Sequence, residues 1–176
     1  MVKLSKIFAY FLFFILALIY FVPKLNLYYY AENELQNYKV ILLEKVKKDT
    51  GFSLRLDGVE VFYDSIAIAK AKSADLKLFL MYNSLNIKDI ELSGMASSFV
   101  PIDIKTVDIR YSILNPLNIM AKVDGGFGVA DVELNIVDRD ITIDLVPSKL
   151  MLQKYKNTLK NFSKTADKGY RYVKTF

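Results

Sequence analysis

Asp138, Asp140 and Asp144 fall close together in the chain and are the side chains best suited to hold a hard cation. They lack the glycine and the spaced glutamate of a calcium loop, so they are expected on a turn and on the solvent face of a strand. The one glycine cluster, Asp124-Gly125-Gly126-Phe127-Gly128, is the stretch most able to wrap a phosphate. It lies between two alternating apolar runs and lacks the helix that completes a phosphate cradle, so a hairpin turn is expected there. Histidine and cysteine are absent. That removes the usual zinc ligands, the Cys/His and Ser/His nucleophile pairs and the commonest general base near neutral pH. No Gly-x-Ser-x-Gly or phosphate-loop pattern supports a Ser/Lys or two-carboxylate alternative. The sequence therefore predicts no enzyme, no metal and no cofactor.

Charge offers more. The net charge is +5, yet residues 148–176 hold eight Lys or Arg against Asp167 alone, so the remainder of the chain is slightly acidic. Within that basic stretch Leu152, Tyr155, Leu159 and Phe162 recur at helical spacing, with Pro147 and Ser148 placed to start a helix. Lys154, Lys156, Lys160 and Lys164, with Arg171 beyond them, are the candidate contacts to anionic lipid headgroups or an acidic protein. The alternative is a merely solvated face. After Gly169 the tail is expected to be poorly ordered unless bound.

These residues need positioning, and the element that organises the rest is the uncharged apolar run over residues 7–22, between Lys6 and Lys24. With Lys3 and Lys6 snorkelling it approaches the roughly 20 residues of a membrane-crossing helix. Ile7, Phe11, Phe14, Leu18 and Val22 represent its lipid-facing set, and residues 1–24 form the expected transmembrane anchor. Cleavage as a signal peptide would have to follow Ala31 and would put Tyr29 where a small residue is required, so retention is expected. Lys3 and Lys6 before the run, against Lys24 followed by Glu32 and Glu34, favour a cytoplasmic N-terminus. Tyr20, Phe21 and Tyr28 to Tyr30 suit an interfacial aromatic belt.

Residues 25–147 are expected to form one β-rich domain with a leading helix. Leu35, Tyr38, Leu42 and Val46 follow at spacings of three, four and four, predicting an amphipathic helix from Glu34 to Lys48, capped by Gly51 and covering the sheet. Pro23 predicts a break between this helix and the anchor. From Phe52 the period becomes two: Phe52, Leu54 and Leu56; Leu76, Leu78 and Leu80; Leu85, Ile87, Ile90 and Leu92; Val100, Ile102, Ile104, Val107, Ile109 and Tyr111. The alternation slips at Lys88-Asp89 and at Lys105-Thr106, as β-bulges would make it do. Hairpins are expected at Asp124-Gly125-Gly126 and at Asp138-Arg139. The predicted class is α+β: an N-terminal transmembrane helix, a short amphipathic helix, a curved antiparallel meander of about eight strands, and a C-terminal basic helix and tail over residues 148–176.

This order of parts, with Thr50-Gly51-Phe52 after a short helix, the run Leu54 to Val61 and the late Asp124-to-Gly128 hairpin, resembles the periplasmic modules of the type II secretion N protein and of AsmA-like envelope proteins. The resemblance spans most of residues 35–147. It implies a curved sheet with an apolar inner face attached to a bacterial inner membrane, and it supplies no catalytic residue. With only one module, a small scaffold or accessory subunit of an envelope-spanning machine is expected, of secretion, flagellar-motor or pilus type. Its partners would be the inner membrane and other protein subunits, with no nucleic acid. The alternative is a groove module that binds phospholipid.

Overall fold

The computed structural model describes residues 2–79, 81–95, 99–101, 103–166 and 169–176. Leu80, Ile102 and Asp167, used in the sequence reading, lie outside them. Helix α1 runs Val2–Phe21 and α2 Lys24–Asn37. Then come β1 (Val40–Leu43), β2 (Val46–Asp49), β3 (Leu54–Tyr63), β4 (Ile66–Phe79), β5 (Tyr82–Leu92), β6 (Asp103–Ser112), β7 (Asn118–Gly125), β8 (Gly128–Asn135) and β9 (Asp140–Pro147). The chain closes with α3 (Lys149–Lys154), α4 (Lys156–Leu159), β10 (Ser163–Lys164) and β11 (Tyr170–Thr175). All the strands join one open, curved antiparallel sheet of eleven, ordered β1-β3-β4-β5-β6-β7-β8-β9-β11-β10, with β2 beside the other half of β3.

The α+β class and the meander agree with the periodicity, but four details differ from it. The helix expected over residues 34–48 stops at Asn37. Lys39 takes a left-handed turn at φ +62°, and Val40–Leu43 then pairs with Glu60 to Tyr63. Four consecutive apolar residues, two of them β-branched, favour a strand over a helix. The even spacing from Leu42 to Val46 fits period two as well as a helical turn. The cover on the sheet comes instead from Leu25 and Tyr28 of α2, while Leu42 packs from within the sheet. Gly51, expected as a helix cap, stands in the β2–β3 turn at φ +81°. At the other end the basic helix is broken at Tyr155, and the tail forms β11 along β9 instead of remaining loose. The strand count is eleven instead of about eight, because residues 40–49 and the C-terminal segment add strands of their own.

Register makes the sheet two-faced. Leu54, Leu76, Leu85, Ile109, Ala121, Val132, Ile143 and Tyr172 stand side by side across eight strands. The adjacent row on the other face is Arg55, Asp75, Asn86, Asp108, Lys122, Asp131, Asp144 and Arg171. Since side chains alternate between faces along a strand, the first row needs cover and the second prefers water. Two clusters provide that cover. Tyr28 and Leu25 pack with Leu54, Leu56, Val59, Ala71 and Ala74 at one end, and Met151 and Leu159 pack with Ala130 and Leu145 at the other.

Both alternation slips seen in the sequence lie on one line across the sheet. The ladders run on either side of Gly58, Lys72, Asp89 and Lys105 but omit those four positions. Gly58 and Asp89 have φ of +65° and +50°, and the register against β7 shifts between Ile104 and Thr106. The extra step lets Val59 and Val61 return to the apolar side already occupied by Leu54 and Leu56. Leu54, wholly buried, lies at the centre of the first cluster. Leu54→Ala should cost about 3 kcal/mol. On calorimetry of the full chain in detergent, that lowers Tm by roughly 5–10 °C; an unchanged Tm would mean this cluster is not what holds the domain.

Candidate functional site: the anchor junction and the basic segment

Helix α1 is long and apolar enough to cross a membrane: residues 3–21 have a mean hydropathy of 2.2 and none of that stretch is buried against the domain. Ile7, Phe11, Phe14 and Leu18 are exposed along it, while Val22, just past its end, is half-buried. Pro23 separates α1 from α2 as expected.

The junction is locked by Lys24. Its side chain is fully buried. The ammonium donates to the carbonyls of Ile19 (3.0 Å) in the last turn of α1 and of Val22 (3.3 Å) just past it, and to that of Gly51 in the β2–β3 turn. Three donors thus meet three acceptors, two of them at the negative end of the helix dipole. The Tyr20 ring lies against Gly51, where a Cβ would come within 2.2 Å of it, and meets Phe52 edge-on at 5.5 Å. Lysine was legible in the sequence only as a flank of the apolar run. Its burial depends on a turn 27 residues further on.

Beside the junction, Tyr28 donates to Glu44 Oε2 at 2.8 Å, and Lys47 Nζ lies 2.6 Å from Glu44 Oε1. The same ammonium sits 4.4 Å and 4.2 Å from the ring centres of Tyr28 and Tyr29. Burial, then the Glu44 carboxylate, pushes the Tyr28 phenol well above its usual range. For Lys47, burial opposes the charge, but the hydrogen bond to Glu44 and its charge outweigh it and hold the ammonium above its ordinary value. The network fixes α2 to β1 and β2, so it is a clamp in the fold.

In the basic segment, Ser148 Oγ caps α3 by accepting from Met151 N (3.1 Å) and donates to Gly126 O (2.6 Å). Thr158 Oγ1 donates to Phe99 O at 2.6 Å. These contacts seat α3 and α4 towards the rim opposite the Gly51 turn. Met151, Tyr155, Leu159 and Phe162 face the sheet, and Leu152, expected in that seam, is exposed. Lys154, Lys156, Lys160 and Lys164 are all exposed, on two helical pieces, a turn and β10, and none has a carboxylate partner among the described residues. Arg171 stands apart from them. It makes two hydrogen bonds to Asp144, at 2.6 Å and 2.8 Å, on the polar face.

Asp138 lies in the β8–β9 turn and Asp140 opens β9, as expected for a turn and strand. Among the described residues no group of three or more carboxylates comes together as a metal site. No family model, curated protein or solved structure matches the chain.

Two outcomes follow. Lys24→Met and Gly51→Ala should each loosen the junction, the first by removing the donor to three carbonyls and the second by expelling the Tyr20 ring. A loss of about 2 kcal/mol would speed amide exchange of residues 50–53 roughly 30-fold in the full chain. Unchanged exchange would show that the anchor is only tethered. For Asp144, the hydrogen bond from Arg171 holds the carboxyl below its ordinary value, outweighing a smaller opposing effect of burial. A depressed carboxylate stabilises the fold above its unfolded pKa and loses that contribution as pH falls through the folded one. Arg171→Gln should therefore lower Tm slightly at pH 7, with the difference from wild type shrinking as pH falls below the ordinary carboxylate range. A difference that persists in acid would assign the effect to packing.

Proposed function

We propose that the protein is a non-enzymatic scaffold or accessory subunit of an envelope-spanning machine, of secretion, flagellar-motor or pilus type. It is held in a bacterial inner membrane by α1, with its N-terminus in the cytoplasm and the sheet in the periplasm. The observation that supports this reading is the Lys24 junction. A simple tether needs no fixed angle between anchor and domain, whereas a bracket that presents a surface at a set attitude does. Here that angle is set by a buried ammonium, an aromatic edge contact and a glycine turn.

The surface best suited to a partner is the basic segment. Exposed lysines add little to the stability of their own domain, so four of them without carboxylate partners among the described residues suit an acidic protein neighbour. They lie towards the rim away from the anchor junction. Replacing Lys154, Lys156, Lys160 and Lys164 with Gln should leave the fold within about 1 kcal/mol of wild type. In pull-downs from native membranes the same variant should lose co-purifying subunits, and high salt should reproduce the loss with the wild type. Complexes retained in full by the variant would remove the basic surface from the reading. Failure of the wild type to bring down any envelope subunit would overturn the scaffold itself.

One observation favours the second reading, a groove for phospholipid chains. Val107, Ile109 and Tyr111 of β6 and Ile119 and Ala121 of β7 lie outside both packed clusters, yet all are half-buried. Together they form an apolar strip between the two helical covers. Native mass spectrometry of the detergent-extracted protein separates the readings: bound phospholipid lost on Ile109→Glu supports the groove, and its absence excludes it.

A further inference from the structure

Each turn at one rim of the sheet puts a large apolar side chain into the open beside its polar residues. On the side where α1 ends, the β2–β3 turn carries Phe52, the β4–β5 turn Met81, the β6–β7 loop Leu114 and the β8–β9 loop Val137, and the chain ends at Phe176. Each is exposed, Leu114 at 85% and Val137 at 65%. Backbone hydrogen bonds tie the later tips into one edge: Ile113 N to Met81 O (3.0 Å), Ile136 N to Leu117 O (2.8 Å) and Phe176 N to Arg139 O (2.9 Å). An isolated exposed apolar side chain is ordinary, but a contiguous apolar edge marks an interaction surface.

The occupant follows from where the edge begins. Phe52 is packed on Tyr20 at the end of the apolar helix, so the series starts at the level where α1 leaves the membrane. From the cross-strand row shared by Leu54, Leu76, Ile109 and Val132, the later tips extend about three residues beyond Phe52. At about 3.3 Å per residue, and with the strands upright, that is roughly 5–10 Å, the depth at which apolar groups settle in the headgroup and acyl boundary. The opposite rim also exposes Tyr63, Ile66, Met95 and Phe99, but no apolar helix ends there. Resting on the anchoring by α1 proposed above, we propose that the Met81, Leu114, Val137 and Phe176 edge inserts into the interfacial layer of the bilayer that α1 crosses. The sheet then stands rim-down on the lipid surface.

The chain contains no cysteine, so single labels are clean. Phe13→Cys, Leu114→Cys, Val137→Cys and Ser65→Cys variants of the full chain would carry an environment-sensitive fluorophore in phosphatidylethanolamine/phosphatidylglycerol vesicles. Quenching would be read with spin labels placed at the headgroup or deep in the acyl chains. The expected result is headgroup-level quenching and a blue shift at 114 and 137, deep quenching at 13, and water-like emission at 65. Deep quenching at 13 with water-like emission at 114 and 137 would overturn the rim proposal and leave the anchor standing. A label at 13 untouched by either quencher would overturn the anchor reading, whatever the rim does. A blue shift at 114 that no lipid quencher reaches would mean that a second copy of the chain covers the edge, and it too would overturn the proposal.

Discussion

The attitude of the whole domain depends on one ammonium group. Lys24 follows the helix-breaking Pro23, and without a constraint the chain there would hinge. With its three protons shared among Ile19, Val22 and Gly51, the side chain joins the last turn of α1, the first turn of α2 and the β2–β3 turn at one point. Among the described residues no carboxylate balances the charge there. Carbonyl oxygens and the end of the helix dipole take that role, and a buried carboxylate there would add a second desolvation cost. Removing any one acceptor leaves the ammonium short of a partner, so the three elements hold position together.

What Lys24 orients is a sheet under a single constraint: an apolar face eight strands wide must be shielded by few residues. The Tyr28–Glu44–Lys47 clamp holds α2 over the first strands, and α3 and α4 cover the last, so the middle depends on curvature and on neighbouring side chains. The line through Gly58, Lys72, Asp89 and Lys105 serves the same end. Strict period two would turn Val59, Ala71 and Ile90 to the water side, and a shared irregularity in adjacent strands restores all three at once. Lys72 and Asp89 meet across it at 3.6 Å on the exposed side.

Period two was legible wherever a strand buries one face, and the hairpins at Asp124-Gly125-Gly126 and Asp138-Arg139 were legible from their turn residues. The slips at Lys88-Asp89 and Lys105-Thr106 were visible because large aliphatics flank them. Their counterpart at Lys72 was not, since Ala69, Ala71 and Ala74 give little contrast. Residues 35–46 misled because spacings of four satisfy a helix and a strand alike. The C-terminal seam misled because Leu150, Met151 and Leu152 are adjacent and apolar, and only the sheet decides which one faces inward. Tyr170, Arg171 and Tyr172 did alternate in polarity, a brief signal for β11 that the dense positive charge around it obscured. The long apolar helix was legible by composition alone, whereas its rigid coupling to the sheet was not, because Lys24 and Gly51 meet only in the folded chain.

The positions of charge and apolar surface bear on what the lysines face. The contacts of Ser148 with Gly126 and of Thr158 with Phe99 place α3 and α4 near the rim opposite the anchor junction. A strand of ten residues, such as β3 or β6, separates the two rims by about 30 Å. Screening in physiological salt reduces the attraction of a charge to a surface within about 8 Å. On the proposed placement, with the strands upright, four lysines at the far rim would therefore gain almost nothing from headgroups beneath the near one. On the proposed placement the apolar tips and the basic segment therefore answer to different surroundings: the first to the bilayer that α1 would cross, the second to whatever stands beyond the sheet.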